Sequence, residues 1–109
     1  MNYTSLIAFA FLLAGGQILF KKAALAGAGQ ALPWALLNSW TVLALVLYLV
    51  ATALWVWILR STPLSTAYPF AALGFVIVPL AAHYFFGENI DYRYVLGIVL
   101  IVTGIVLTQ

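Results

Sequence analysis

Polar residues divide the chain into four long apolar stretches. They cover about residues 3–22, 36–59, 63–86 and 91–108, and the Lys, Arg, Asp and Glu residues lie at or between their ends. An α-helix rises about 1.5 Å per residue, so about 20 apolar residues cross the hydrocarbon core of a bilayer. The pattern therefore predicts an all-α integral membrane protein, with a single transmembrane domain folded as a four-helix bundle.

The third stretch contains two prolines, Pro69 and Pro79. An internal proline removes a backbone hydrogen bond and its ring clashes with the preceding turn. We therefore expect a kinked third helix, with hinges near Pro69 and Pro79.

Composition excludes several classes of protein. Hydrophobic residues make up 67% of the chain and charged residues only 6%, too few to cover a water-soluble domain. The net charge of +2 gives no basic surface for nucleic acid, so no nucleic-acid partner is expected. The chain has one His and no Cys, and no paired acids or activated nucleophile are evident. We expect no metal site, no cofactor and no enzymatic activity.

The first stretch carries polar side chains on one helical face. Gln17 and Lys21 are four residues apart and continue a face that includes Ala10 and Ala14. An amide inside a bilayer is costly against lipid, so this face should meet protein or a watery cavity. Gln17 could bond a neighbouring helix or line a cavity, and Lys21 could face that cavity or extend to the membrane interface.

Ser65 and Tyr68 share a face at the start of the third stretch. Pro69 frees the carbonyl of Ser65 from its helical partner, which places a hydroxyl, a phenol and a free carbonyl together. Transporters bind substrates at interrupted helices of this kind. The alternative is a proline kink that serves packing alone.

Glu88 lies in the most polar connecting segment, on the same predicted side as Lys21. It could pair with Lys21 at a cavity rim, or favour the N-terminus of the last helix through the helix dipole. No carboxylate lies in the interior of a predicted span, since Asp91 is only the first residue of the last one. Cationic side chains near the expected cavity therefore favour an anionic substrate group, such as a phosphate.

The last stretch has two glycines a heptad apart, Gly97 and Gly104, with Ile101 between them on one face. In a membrane, hydrophobic burial does not drive helix association, because lipid tails are as apolar as the side chains. Helices associate through close packing instead, which small residues allow. We predict a dimer interface at this face; packing inside one protomer is the alternative.

Several short motifs follow one another in a specific order. They are Gly16 and Gln17 followed by Lys21 and Ala23, Pro63 with Ala67, Tyr68 and Pro69, Gly87 and Glu88, and Gly97 with Gly104, Ile105 and Val106. This arrangement resembles the four-span members of the drug/metabolite transporter superfamily, which include EamA-like proteins. Within that superfamily it is most similar to the aminoarabinose-phosphoundecaprenol flippase subunits.

The resemblance implies a multi-pass protein of the bacterial inner membrane that moves a polyprenyl-phosphate-linked sugar between leaflets. It also implies a homodimer, or a heterodimer with a related four-span subunit. The candidate substrate-binding residues are Gln17, Lys21, Ser65, Tyr68 and Glu88.

The small multidrug resistance exporters are similar in length and motif spacing, but they carry an essential Glu in the middle of their first helix. The corresponding region here, residues 11–15, contains no acid. Proton-coupled drug antiport is therefore not implied. Two alternatives remain: an exporter of small cations or metabolites, and a structural membrane subunit that transports nothing.

Overall fold

The computed structural model describes residues 3–109, and within that range all regular secondary structure is helical. This confirms the predicted all-α fold for the described residues. The helices are α1 (Tyr3–Ala26), α2 (Ser39–Leu59), α3 (Leu64–Ala71), α4 (Gly74–Phe86) and α5 (Tyr92–Thr108), with a short 3₁₀ turn (Trp34–Leu36) before α2.

Three helical segments in the described range are long and apolar enough to cross a membrane. They are α1 with 24 residues, α2 with 21, and α3 and α4 taken together as Leu64–Phe86 with 23. The apolar helix α5 has 17 residues. Its length of about 26 Å is slightly less than the hydrocarbon thickness of about 30 Å. A fourth complete span therefore remains a prediction.

The third predicted span is divided into two helices. It is interrupted at residues 72–73, between the end of α3 and the start of α4. Near the break, the amides of Phe75 and Val76 donate to carbonyls only three residues earlier, each at 2.9 Å. Such bonds are typical of a tighter 3₁₀ turn.

The two prolines flank this break, with Pro69 inside α3 and Pro79 inside α4. Because proline lacks an amide hydrogen, Pro79 removes the normal helical partner of the Phe75 carbonyl. The predicted kink is thus an interruption that lies between the two prolines.

Asn38 fixes the connection between α1 and α2. Its side-chain oxygen accepts a hydrogen bond from the amide of Thr41 at 3.1 Å and thereby caps α2. Its amide nitrogen donates to the carbonyls of Ala23 at 3.3 Å and Ala35 at 3.2 Å. One side chain therefore joins the end of α1, the connecting segment and the start of α2.

Local hydrogen bonds also define the turn between α4 and α5. Gly87 ends α4 in the left-handed region with φ of 67°, which a residue without Cβ adopts easily. The His83 Nδ1 atom lies 2.8 Å from the carbonyl oxygen of Glu88. Asp91 accepts a hydrogen bond from the amide of Tyr94 at 2.8 Å and caps α5. The capping role considered for an acid in this segment therefore belongs to Asp91.

The core is small and lies between α1, α2 and α3, around Leu6, Phe9, Ala51, Ile58 and Ala67. The folded chain measures 44 × 37 × 19 Å. Its smallest dimension equals about two helix diameters, so the helices form a thin layer. Helix α5 packs mainly on α3 and α4 and buries only Ile105.

Candidate functional site

A cavity of about 430 Å³ lies between α1, α2 and α3. Its volume is within the range of sites that enclose a small organic molecule. The cavity is lined by Phe9, Leu13 and Gln17 of α1, Tyr48, Thr52 and Trp55 of α2, and Tyr68 and Ala71 of α3. We call it the central cavity.

Three polar groups of the central cavity have no hydrogen-bond partner in the described part of the chain: the Gln17 amide and the hydroxyls of Tyr48 and Tyr68. The hydroxyl of Thr52 donates to the carbonyl of Tyr48 at 2.9 Å, which leaves its oxygen lone pairs available. Unpaired polar groups are costly in a bilayer. The cavity thus presents donors and acceptors suited to a polar ligand or to water.

Aromatic rings form much of the remaining wall. The rings of Phe9 and Trp55 are stacked, with centroids 4.6 Å apart and planes inclined by 24°. Tyr48 and Tyr68 contribute two further rings. Aromatic faces carry partial negative charge and attract cations. These rings can contact the apolar faces of a ligand. They can also attract a cationic group of the ligand, although no carboxylate lines the cavity.

Two of the sequence-predicted binding residues, Gln17 and Tyr68, are brought together at this cavity. Lys21 is exposed and lies one turn beyond Gln17, and Ser65 is exposed and lies one turn before Tyr68. Neither Lys21 nor Ser65 is among the described residues that line the cavity.

Glu88 lies apart from the central cavity. It is exposed and contributes to a smaller cavity of about 180 Å³, together with Pro79 and Tyr94. No ion pair joins Glu88 to Lys21, although both belong to the described range. The pairing considered from the sequence is therefore not formed in this conformation.

Helix α2 supplies three lining residues that the sequence analysis did not assign to a site. Tyr48, Thr52 and Trp55 are spaced by four and three residues, which places them on one helical face. This row of side chains, each with an apolar body and a polar atom, was the available signal. Trp55 lies near the predicted end of the second stretch, where aromatic side chains commonly lie at the membrane interface.

The interruption of the third span lies next to the central cavity. Ala71, the last residue of α3, lines the cavity, and Tyr68 lies one turn before it. Pro69 is half-buried between them. A change in the angle between α3 and α4 would therefore act directly on the cavity wall.

The glycine face of α5 is open in the protomer. A Cβ atom added at Gly97 or at Gly104 would meet no atom within 4 Å, apart from the local helix backbone and chain neighbours. Ile101, between them, is 37% exposed. No other helix of the described chain therefore packs closely against these two glycines.

Membrane-crossing helices, an interrupted span and a cavity between helices with several polar groups are features of a membrane transport protein. The sequence matches the EamA-like transporter family over residues 1–109. The chain belongs to this family, which confirms the resemblance inferred from its motifs.

Curated relatives cover nearly the whole chain. The chain is 37% identical to a protein of Enterobacter sp. (strain 638) over 98% of its own length and 95% of the relative. It is 35% identical to a protein of Sodalis glossinidius over 96% of this chain and 94% of that relative. Both relatives are named as the probable 4-amino-4-deoxy-L-arabinose-phosphoundecaprenol flippase subunit ArnE. No solved structure matches the chain.

Proposed function

We propose that the chain is one subunit of a flippase of the bacterial inner membrane. Its substrate is a polyprenyl phosphate that carries an amino sugar, which crosses from the cytoplasmic to the periplasmic leaflet. The names of the relatives support this substrate class. The central cavity also supports this substrate class, because a sugar needs polar groups in place of water while it crosses the hydrocarbon core.

The observation that carries the proposal is the group of unpaired polar side chains in the central cavity. A sugar ring presents several hydroxyls that can both donate and accept hydrogen bonds. Gln17 offers both functions through its amide, and Tyr48 and Tyr68 offer phenolic hydroxyls. These groups would replace the water that the sugar loses as it leaves the aqueous phase.

The amine of the substrate fits the aromatic lining. A protonated amine in a low-dielectric cavity needs compensation, and the described cavity has no acidic side chain. The faces of Tyr48, Trp55 and Tyr68 can supply it through cation–π attraction, which reaches about 2 kcal/mol at desolvated sites. The absence of a lining acid is therefore compatible with a cationic sugar.

The remaining candidate residues, Lys21, Ser65 and Glu88, would contact the substrate before it enters the cavity. Lys21 lies one turn from Gln17 and would hold a phosphate oxygen, while Ser65 would contact the substrate one turn from Tyr68. Glu88 would contact the substrate at the membrane surface, near the same end of α1 as Lys21. These roles remain proposals because neither Lys21 nor Ser65 contacts the cavity in this conformation.

The working unit would be a dimer, either of this chain or with a related four-span subunit. The relatives are named as subunits. The open face of α5, with Gly97, Ile101 and Gly104, can receive a second helix closely. The thinness of the protomer supports the same arrangement, since a second layer would enclose the central cavity.

Access would alternate through movement at the interrupted span. Pro69 and Pro79 lie on opposite sides of the break between α3 and α4, where hydrogen bonds to carbonyls three residues earlier replace the regular α-helical ones. Rocking of α3 against α4 would open the cavity first to one leaflet and then to the other.

The test is a reconstituted liposome assay that measures how much of a glycosyl polyprenyl phosphate is accessible in each leaflet. The chain is tested alone and with a co-expressed four-span partner. Gln17→Leu and Lys21→Ala should slow exchange, whereas Thr103→Val should not, because the Thr103 hydroxyl bonds only the Val99 carbonyl of its own helix. Exchange no faster than in protein-free liposomes, with or without the partner, would exclude the proposal.

A second candidate is an exporter of small organic cations, which the aromatic lining of the central cavity would also suit. This function predicts that cations compete for the site and that a proton gradient drives their transport. The glycosyl lipid should then neither be moved nor displace the cations. A purely structural subunit would assemble with its partner and be insensitive to Gln17→Leu.

A further inference from the structure

We propose a second binding site, in which an apolar groove on another side of α1 holds the isoprenoid chain of the lipid and Lys22 binds its phosphate. The inference rests on the proposed function for the identity of the lipid. The groove has a volume of about 480 Å³ and lies between α1, α2 and α4. Its lining includes Gly15 and Ile18 of α1, Leu47 of α2, and Ile77, Ala81 and Phe85 of α4.

Lys22 lies at one end of this groove. It follows Gly15 and Ile18 on the same face of α1, at spacings of seven and four residues. Its Nζ atom is 4.7 Å from the ring centroid of Trp40 and 5.7 Å from that of Phe85, which itself lines the groove. The two rings therefore hold a cation where the apolar lining ends.

The Lys22 ammonium group has no anionic partner in the described part of the chain. It lies over the ring faces of Trp40 and Phe85, which accept no conventional hydrogen bond. An ammonium group has three donors, so it can still bind phosphate oxygens. Charge complementarity therefore points to an anion at this end of the groove.

The apolar lining identifies the rest of the ligand. A hydrocarbon chain gains little hydrophobic free energy when it moves from lipid tails into an apolar groove, because both surroundings are alike. Selective binding must then come from the shape of the groove and from the headgroup at Lys22. From Phe11, at the other end of the α1 lining, to Lys22, α1 rises about 16 Å. This length accommodates the part of a chain nearest to its phosphate.

The position of Lys22 next to Lys21 connects this groove with the central cavity. Lys21 continues the α1 face of Gln17, whereas Lys22 continues the face of Ile18, and neighbouring residues differ by about 100° around a helix. A phosphate near both lysines would lie where these two faces meet. The sugar could then enter the central cavity while the chain occupies the groove.

The experiment measures binding of undecaprenyl phosphate, which has no sugar, to the full chain in phospholipid nanodiscs. Undecaprenol and inorganic phosphate are measured separately, and excess phosphatidylglycerol is added as a competitor. We expect saturable binding of undecaprenyl phosphate that resists phosphatidylglycerol. Lys22→Gln should weaken it about tenfold, as for loss of one charge-assisted contact. Ala81→Leu, which fills the groove, should also weaken it.

Two control variants make the same kinds of change, loss of a cation and enlargement of an alanine, at positions outside the groove lining. Arg93→Gln removes an exposed cation on α5, and Ala53→Leu enlarges an exposed position on α2. Both should leave binding unchanged. Equal displacement by phosphatidylglycerol, equal binding of inorganic phosphate, or a loss with Lys21→Gln but not with Lys22→Gln would overturn the inference.

The liposome assay separates this outcome from failure of the proposed function. If leaflet exchange and lipid binding are both unchanged in Lys22→Gln, the proposed lipid site in the groove is rejected and the proposed flippase function is kept. Saturable, Lys22-dependent binding without any leaflet exchange would support the lipid site in the groove and reject the flippase function.

Discussion

Gln17 of α1 and Tyr68 of α3 line the same cavity, and neither side chain has a hydrogen-bond partner in the described part of the chain. Helix α2 completes the cavity between them with Tyr48, Thr52 and Trp55. Gln17 and Tyr68 are both exposed, so water, a ligand or a partner helix can satisfy their polar groups. The cavity therefore presents polar groups that are open to a ligand or to water.

Removal of the Tyr68 hydroxyl should slow transport and leave folding intact. Tyr68→Phe retains the ring but loses one hydrogen bond to the sugar, which should lower the exchange rate about tenfold. The measurement is leaflet exchange in liposomes. Tyr84→Phe is the matched control, because Tyr84 is 82% exposed and lies outside the central cavity. Equal rates for the two variants would show that the Tyr68 hydroxyl does not contact the substrate.

Two neighbouring tryptophans of α2 should differ in importance. Trp55 lines the central cavity and stacks on Phe9, whereas Trp57 is 53% exposed. Trp55→Leu should reduce exchange of the amino-sugar lipid more than exchange of a lipid with a neutral sugar, because cation–π attraction is lost. Trp57→Leu should affect neither substrate. The same loss for both lipids in Trp55→Leu would indicate a packing role instead.

Asn38 combines two stabilising roles that substitutions can separate. Asn38→Ala should lower the free energy of unfolding in detergent by about 1–2 kcal/mol, because the cap of α2 is lost. Asn38→Asp keeps the oxygen that accepts from Thr41 but loses the donor to Ala23 and Ala35. It should therefore fall between the wild type and Asn38→Ala. Chemical unfolding followed by circular dichroism measures the difference.

Gly27 and Gly16 should respond oppositely to alanine. A Cβ atom at Gly27 would collide with the backbone carbonyl of Ala35, which cannot move without displacing the connection to α2. Gly27→Ala should therefore lower the thermal unfolding temperature. At Gly16, inside α1, a Cβ atom meets nothing within 4 Å, so alanine should stabilise the helix by about 0.5–1 kcal/mol. Stabilisation by Gly27→Ala would contradict the close contact.

The glycine face of α5 should control association. Gly104→Leu adds a bulky side chain to a position that is open in the protomer, so folding should be retained while the dimer dissociates. Thr103→Leu, at the exposed neighbouring position, is the control. Single-molecule photobleaching in lipid vesicles measures the dimer fraction. Equal dimer fractions for the two variants would exclude Gly104 from the interface.

Sequence alone determined the properties that depend on local chemistry. Low charge and long apolar stretches specify a membrane environment and helical backbone, because a bilayer offers no water to unpaired peptide groups. Pro69 and Pro79 predicted an irregular third span for the same local reason, and the structure places the break between them. The ordered motifs predicted the family, which the comparison confirms.

Tertiary structure decided which side chains meet. A helix that is apolar on all sides gives little indication of the face it turns inward, because lipid and protein interior are equally nonpolar. Helix rotation and packing joined Gln17 and Tyr68 to Tyr48 and Trp55, left Lys21 and Ser65 outside the cavity, and placed Lys22 between Trp40 and Phe85. These contacts depend on the fit between helices, which no local pattern in the chain records.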